Sequence, residues 1–162
     1  MNAKQITRHG NMKWAVVAAL ACVGGAAWAD EPHYIKLDTS INGDLCYVVS
    51  LKEAGLGTAS SITYNLSANA CFAAVCVTKN GNVVQGVPKS GESSATSQTT
   101  LPVRHGQTTG NIFLCPTNFN LPDPGCTGNQ RLEIVAAQYS NVVLSDGLSD
   151  TPLPPGGIGN CP

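Results

Sequence analysis

The first 29 residues and the six cysteines that follow them constrain this chain most. Lys4, Arg8 and Lys13 precede an apolar run over residues 14–27, and Ala27-Trp28-Ala29 offers an A-x-A cleavage site. This is the pattern of a cleavable secretory signal peptide, predicted over residues 1–29. The cysteines beyond it are Cys46, Cys71, Cys76, Cys115, Cys126 and Cys161. Because thiols oxidise outside the cytoplasm, we expect a secreted or periplasmic protein with structural disulfides.

A seventh cysteine, Cys22, raises the alternative of a lipoprotein signal. Such a signal has a large aliphatic residue three places before the acylated cysteine, and that residue here is Ala19. The sequence therefore favours cleavage over lipidation. No later apolar stretch approaches the roughly 20 residues needed to cross a bilayer, so we expect no membrane insertion by the mature chain.

Removal of the signal leaves a chain that is acidic and poor in aromatic residues. Its six basic side chains face ten acidic ones, a formal net charge of −4, and both tryptophans lie in the signal. A mildly acidic chain without a basic cluster is a poor candidate for binding nucleic acid or anionic membranes. Its length suits one domain.

The mature chain is a succession of short apolar or alternating segments separated by turn residues. The predicted strands cover residues 34–37, 45–51, 61–66, 71–77, 83–84, 101–105, 111–115, 131–139 and 141–145. Residues 90–100 are rich in Ser and Thr and predict either a loop or an edge strand. Turn signals recur about every ten residues, which predicts an all-β fold of antiparallel strands. We expect a single disulfide-braced, immunoglobulin-like β-sandwich of about 7–9 strands over residues 30–150. Residues 151–162 form a Pro/Gly-rich tail that Cys161 should tether.

Several segments carry a resemblance to a known group of proteins. They are, in chain order, residues 52–57 (K-E-A-G-L-G), 74–77 (A-V-C-V), 80–82 (N-G-N) and 139–146 (Y-S-N-V-V-L-S-D). This order resembles a loose group of small, functionally uncharacterised proteins secreted by bacteria and filamentous fungi. Over residues 44–147 the resemblance implies a single secreted β-sandwich, and it carries over no catalytic residues. It implies one disulfide, Cys76 with Cys126.

The other four cysteines look like additions to that group's pattern. Six cysteines allow fifteen connectivities, among which the sequence does not choose. One hypothesis pairs Cys46 with Cys161 and Cys71 with Cys115, which spreads the bridges across the sandwich. An equally good alternative closes Cys115 to Cys126 over the proline-rich loop.

The sequence contains partial patterns for two kinds of metal site. The cysteine spacings do not form the paired C-x2-C knuckles of a zinc site, which favours disulfides. Residues 38–43 match the first half of a calcium loop, but its twelfth position is Val49 rather than Glu. The simpler prediction is a hairpin whose positive φ angles lie at Asn42 and Gly43. A looser calcium site is left open, with candidates Asp38, Asp44, Asp146 and Asp150. No metal or cofactor is predicted.

No segment carries a recognisable catalytic motif. Glu53 with Glu133 or Asp146 would make a glycosidase pair only if the fold brought them together. The simpler interpretation of Lys52-Glu53 is a solvated charge pair at a strand end. His105 precedes a glycine and is predicted to be an exposed turn residue. Lys52, Glu53 and His105 are therefore retained as possible interaction residues, and no catalytic residue is assigned.

The sequence is compatible with three functions. The leading hypothesis is a non-catalytic exported module that binds an extracellular protein or glycan through loops such as residues 90–100 and 116–129. A secreted hydrolase or hydrolase inhibitor would need a pocket where His105 or Glu53 meets a second titratable group. A polymer subunit would assemble by edge-strand pairing, with residues 31–37 as the candidate arm.

Overall fold

The computed structural model describes residues 31–84 and 89–161 of the chain. The predicted signal peptide over residues 1–29, and with it the lipidation alternative at Cys22, lies outside the described residues. In the described part, no helix is long and apolar enough to cross a membrane.

The described residues form two antiparallel sheets. The strands are β1 (His33–Ile41), β2 (Tyr47–Ala54), β3 (Ser61–Val77), β4 (Lys89–Pro102), β5 (Gln107–Leu114), β6 (Arg131–Ser145), β7 (Asp150–Pro152) and β8 (Gly156–Ile158). A three-stranded sheet has the order β1-β2-β5, and a five-stranded sheet has the order β4-β3-β6-β7, with β8 also paired to β6. One 3-10 turn, Pro116–Asn118, follows β5. The prediction of an all-β fold with antiparallel sheets is confirmed.

The core lies between the two sheets, because each sheet turns alternate apolar side chains inward. β3 shows this alternation from Tyr64 to Phe72, whose intervening residues face outward. Four aromatic side chains pack edge to face or tilted, with ring centroids 5.1 to 5.9 Å apart: Tyr47, Phe72, Phe119 and Tyr139. Two of their hydroxyls are satisfied inside the core, since Tyr47 donates to the Pro154 carbonyl and Tyr139 donates to the Leu45 carbonyl.

Several predicted strands are parts of longer ones. Residues 61–66 and 71–77 belong to the single strand β3, and residues 131–139 and 141–145 belong to β6. The Ser/Thr-rich stretch 90–100 is strand rather than loop. It belongs to β4, which pairs with β3 over fourteen consecutive positions. A neighbour as long as β3 offers main-chain partners even to a segment with little apolar character of its own.

Three disulfides brace the two sheets. They join Cys46 to Cys115, Cys71 to Cys161 and Cys76 to Cys126. The last is the pair implied by the resemblance. The pairings of Cys46 with Cys161, Cys71 with Cys115 and Cys115 with Cys126 are wrong. The register explains why. Tyr47 lies opposite Leu114 on adjacent antiparallel strands, so Cys46, which precedes Tyr47, and Cys115, which follows Leu114, lie side by side.

The β1–β2 hairpin exists, but its turn differs from the prediction. The side-chain oxygen Oδ1 of Asn42 accepts hydrogen bonds from the backbone N–H groups of Asp44 and Cys46, at 3.0 and 2.9 Å. Leu45 has φ of +61°, whereas neither Asn42 nor Gly43 has a positive φ. A five-residue turn organised by the Asn42 side chain replaces the two-residue turn expected from Asn-Gly.

Candidate functional site

The predicted solvated pair Lys52-Glu53 is separated by the strand on which it lies. Neighbouring side chains of a strand point to opposite faces. Glu53 shares its face with Val49 and Leu51 and is only 1% exposed, whereas Lys52 on the other face is half-buried. The interpretation of Glu53 as a solvated charge is therefore wrong, and this carboxyl belongs to the protein interior.

Glu53 is held inside the sandwich by a tyrosine. The Tyr64 hydroxyl of β3 donates a short hydrogen bond to the Glu53 carboxylate. Burial raises the pKa of Glu53, the Tyr64 bond opposes that rise, and the nearby charge of Asp146 adds to it. The same surroundings raise the pKa of the Tyr64 hydroxyl strongly. A carboxyl so enclosed serves the packing of the two sheets and is not placed to meet a substrate.

A second tyrosine completes this buried cluster. Tyr34 on β1 lies opposite Glu53 in the register. Burial, followed by the charges of Glu53 and Asp146, raises the pKa of Tyr34 to about 12. Its hydroxyl is buried and makes no hydrogen bond among the described residues. Glu53 and Asp146 come from the two segments 52–57 and 139–146, so these segments meet at this cluster.

The other predicted residues lie on the surface. His105 is exposed in the tight turn between Arg104 and Gln107, with φ of +52°. Glu133 is exposed and pairs with Arg131 at 3.5 Å. The structure therefore brings Asp146 toward Glu53 and leaves Glu133 paired elsewhere at the surface.

The acidic candidates for calcium do not assemble within the described residues, where no three His, Cys, Asp or Glu side chains gather as a metal site would require. Asp38 pairs instead with Lys36 at 2.9 Å. Asp146 accepts hydrogen bonds from the backbone N–H groups of Leu148 and Ser149, both at 2.7 Å, and so organises a turn.

A polar groove, absent from the sequence-based predictions, opens on the outer face of the five-stranded sheet. Its cavity volume is about 660 Å³. Its polar lining comes from three adjacent strands and includes Asn69 of β3, Glu92, Ser93 and Ser94 of β4, and Gln138, Ser140 and Asn141 of β6. A shallower cavity of about 240 Å³ extends it and shares Asn69, Ser94 and Asn141.

A β-bulge in β6 builds this groove. The register steps from Ser67 opposite Val143 to Asn69 opposite Ser140, which leaves two residues of β6 facing one of β3. Asn141 is one of the two and has φ of +50°, a conformation that few residues other than glycine adopt. Bulges twist a strand and redirect its side chains, and they are common beside binding sites. Here the bulge leaves Asn141 exposed on the outer face.

The C-terminal tail bounds the groove at its other end. Pro155 and the half-cystine Cys71, which bonds Cys161 of the tail, both line the cavity. Gln138 donates its side-chain N–H to the Gly159 carbonyl, which holds the tail over β6. A Cβ atom at Gly159 would lie 2.7 Å from that of Ala136, so only glycine permits this close approach. The groove is therefore made of sheet and covalently fixed tail rather than of mobile loops.

The chemistry of the groove is that of neutral hydrogen bonding. Its lining supplies three carboxamides, serine hydroxyls and one carboxylate, without a lysine or arginine. Tyr139 also lines the cavity but is only 2% exposed, so it offers no stacking surface. The sequence signal for this face is the alternation that places Asn65, Ser67 and Asn69 on one side of β3, with Ser94, Thr96 and Gln98 beside them.

Comparison of the chain with protein-family models, with curated proteins and with solved structures finds no match. The groove and the buried cluster are therefore interpreted from their own chemistry.

Proposed function

We propose that this protein is a non-catalytic extracytoplasmic binding module whose polar groove binds a glycan. The observation that carries the proposal is the convergence of Asn69, Gln138 and Asn141, from adjacent strands, on one open cavity. The proposed binding surface is the sheet face rather than the loops expected from the sequence, since residues 90–100 form a strand.

We further propose that the sandwich is immunoglobulin-like. In such sandwiches the first, second and fifth strands share one sheet, and the third, sixth and seventh share the other. The orders β1-β2-β5 and β4-β3-β6-β7 fit this plan, with the fourth strand joined to the second sheet. Rigid sandwiches of this kind commonly display binding surfaces, which agrees with a binding role.

Carboxamides suit a polyhydroxylated ligand because each one donates and accepts hydrogen bonds at the same time. A pair of neighbouring sugar hydroxyls presents the matching acceptor and donor. The cavity volume of about 660 Å³ lies within the range of roughly 300–1,000 Å³ typical of ligand sites. The fixed backbone at the bulge and at the tail disulfide reduces the ordering that binding would require.

The hydrolase alternative is not supported by Glu53 or by the groove. Two-carboxylate hydrolysis needs both groups in one open cleft. Glu53 is buried against Tyr64, and Glu92 is the single carboxylate lining the groove. Three disulfides agree with an oxidising, extracytoplasmic compartment, where glycans are abundant surface partners.

The proposal is tested by titrating isotopically labelled, oxidised protein with neutral hexasaccharides of glucose, N-acetylglucosamine, xylose and mannose. The side-chain N–H₂ signals of Asn69, Gln138 and Asn141 should shift saturably with at least one of them. Asn141→Gly removes the carboxamide while accepting the positive φ, and it should weaken binding about tenfold. Asn65→Ala, an amide of the same face outside the groove, is the matched control and should bind normally.

Absence of saturable shifts with every sugar would overturn the glycan proposal. An equal loss of binding in Asn65→Ala and Asn141→Gly would place the ligand elsewhere on the sheet face. If an added protein shifted the same groove signals and none of the sugars did, a protein partner would be favoured instead.

A further inference from the structure

Sheet edges invite pairing with other chains, and three of the edges of this sandwich are protected. β1 carries the exposed Lys36–Asp38 ion pair and a register irregularity after Tyr34. β7 and β8 are three residues long each. The end of β4 packs beside β5, where the Leu101 side chain lies so close to Gly110 that a Cβ there would be 2.7 Å from it and Thr108 donates to the Pro102 carbonyl.

The free edge of β4 has none of these protections. β4 is fourteen residues long and pairs with β3 without a single register shift. Residues 93–101 contain no charge, no proline and no glycine. In the described part of the chain, no strand pairs with the opposite edge of β4. Two contacts to other segments lie near the two ends of β4. Gly91 approaches Pro122 at one end, and the Pro102 carbonyl accepts a hydrogen bond from the Thr108 hydroxyl at the other.

We infer that this edge pairs antiparallel with β4 of a second copy of the chain, extending the five-stranded sheet across a two-fold axis. The charge distribution selects the direction. Lys89 and Glu92 both lie near the start of β4. Parallel pairing in register would set Glu92 against Glu92, whereas antiparallel pairing moves the two copies of each charge to opposite ends of the interface.

The side chains of residues 93–101 suit a second copy better than a foreign peptide. On the outer face, β4 already makes cross-strand bonds of the required kind: Thr100 with Thr63 at 2.8 Å, and Gln98 to Asn65 at 3.1 Å. The same hydroxyl and amide pairs would recur across the two-fold axis. On the inner side, Ala95, Ser97 and Thr99 are small, whereas a foreign peptide gains specificity from pockets for alternate side chains.

The dimer would place both polar grooves on one face, because the two-fold axis of an antiparallel pair is perpendicular to the sheet. Glu92 and Ser94 of each groove belong to β4 itself, so the grooves would flank the new interface. Two sites on one face bind a repeating polymer more tightly than either site alone. This consequence rests on the proposed glycan function, whereas the dimer itself does not.

Sedimentation velocity of the oxidised protein from about 1 to 500 µM tests the dimer. The protein should show a concentration-dependent dimer. Gln98→Lys and Gln98→Glu each place like charges near the two-fold axis, and each should weaken dimerisation at least tenfold. An equimolar mixture of the two variants should restore dimers, because opposite charges then face each other. Ser40→Lys, which adds the same charge to β1, is the matched control and should dimerise normally.

A protein that stays monomeric at all concentrations would overturn the inference, as would a Gln98→Lys variant that dimerises normally or a mixture that fails to recover dimers. Thermal unfolding of each variant checks that it is folded. Titration of the monomeric Gln98→Lys variant with a monovalent sugar separates this outcome from the proposed function, since the binding constant of one groove should be unchanged.

Discussion

Two groups of polar side chains occupy opposite situations in this sandwich. Glu53, Tyr64 and Tyr34 lie between the sheets, where a carboxyl and two phenols are removed from water. Asn69 and Asn141 lie on the outer face, exposed around an open groove. The buried cluster is therefore titratable but inaccessible, whereas the accessible groove presents neutral amides, serine hydroxyls and the single carboxylate of Glu92. The two groups therefore predict different responses to substitution.

Removal of the Tyr64 hydroxyl should have the largest effect. Tyr64→Phe leaves the buried Glu53 carboxyl without its donor, so we expect a loss of about 1–3 kcal/mol in the free energy of unfolding. Thr63→Ala, on the outer face of the same strand, is the control and should lower the free energy of unfolding by less than about 0.5 kcal/mol. Chemical denaturation measures both. Equal losses would mean that the buried cluster is no more important than the surface.

The pH dependence of stability sharpens the comparison next. Because the pKa of Glu53 is raised in the folded protein, the folded state holds this proton more tightly than the unfolded state. The contribution of Glu53 is therefore fully present in acid. It declines as the pH rises above the unfolded pKa of about 4.3 and through the folded pKa.

Glu53→Gln keeps the shape of the side chain and removes its titration. The stability of the wild-type protein relative to this variant should fall as the pH rises from about 4 to 8. A pH-independent difference for Glu53→Gln would contradict the assignment of a raised pKa.

The smallest effect on stability is expected at the groove. Asn141→Gly should leave the free energy of unfolding within about 0.5 kcal/mol of the wild type, because glycine adopts the positive φ freely. Asn141→Ala should cost about 1 kcal/mol, since alanine is strained there. If Asn141→Gly unfolded the protein as easily as Tyr64→Phe, the groove would be a packing element rather than a site.

Alternation along the strands predicted most of the fold, and it also held information about Glu53. That residue follows Val49 and Leu51 at spacings of two, which places it on the buried face of β2. Its charge suggested a solvated strand end instead. The sequence does not reveal this burial because it depends on Tyr64 of the other sheet, which donates a hydrogen bond to Glu53.

The sequence did not predict the features that depend on which residues lie opposite each other on neighbouring strands or on how a turn is hydrogen-bonded. The Cys46–Cys115 pair follows from the register that sets Tyr47 opposite Leu114. The groove follows from one extra residue at Asn141, which reads in sequence as a break between two strands. The positive φ of Leu45 arises because the Asn42 side chain organises the turn, a choice that Asn-Gly alone does not reveal.

The Cys71–Cys161 disulfide also determines how the molecule would respond to mechanical load. It spans a sequence separation of 90 residues. A force applied at residue 31 and at the tail would cross all three disulfides, because the covalent path through Cys46–Cys115 and Cys126–Cys76 to Cys71 is shorter than the backbone from Cys46 to Cys71. The groove strands β4 and β6 lie outside this path and would carry no tension through the backbone. The end-to-end distance would stop at about 120 Å.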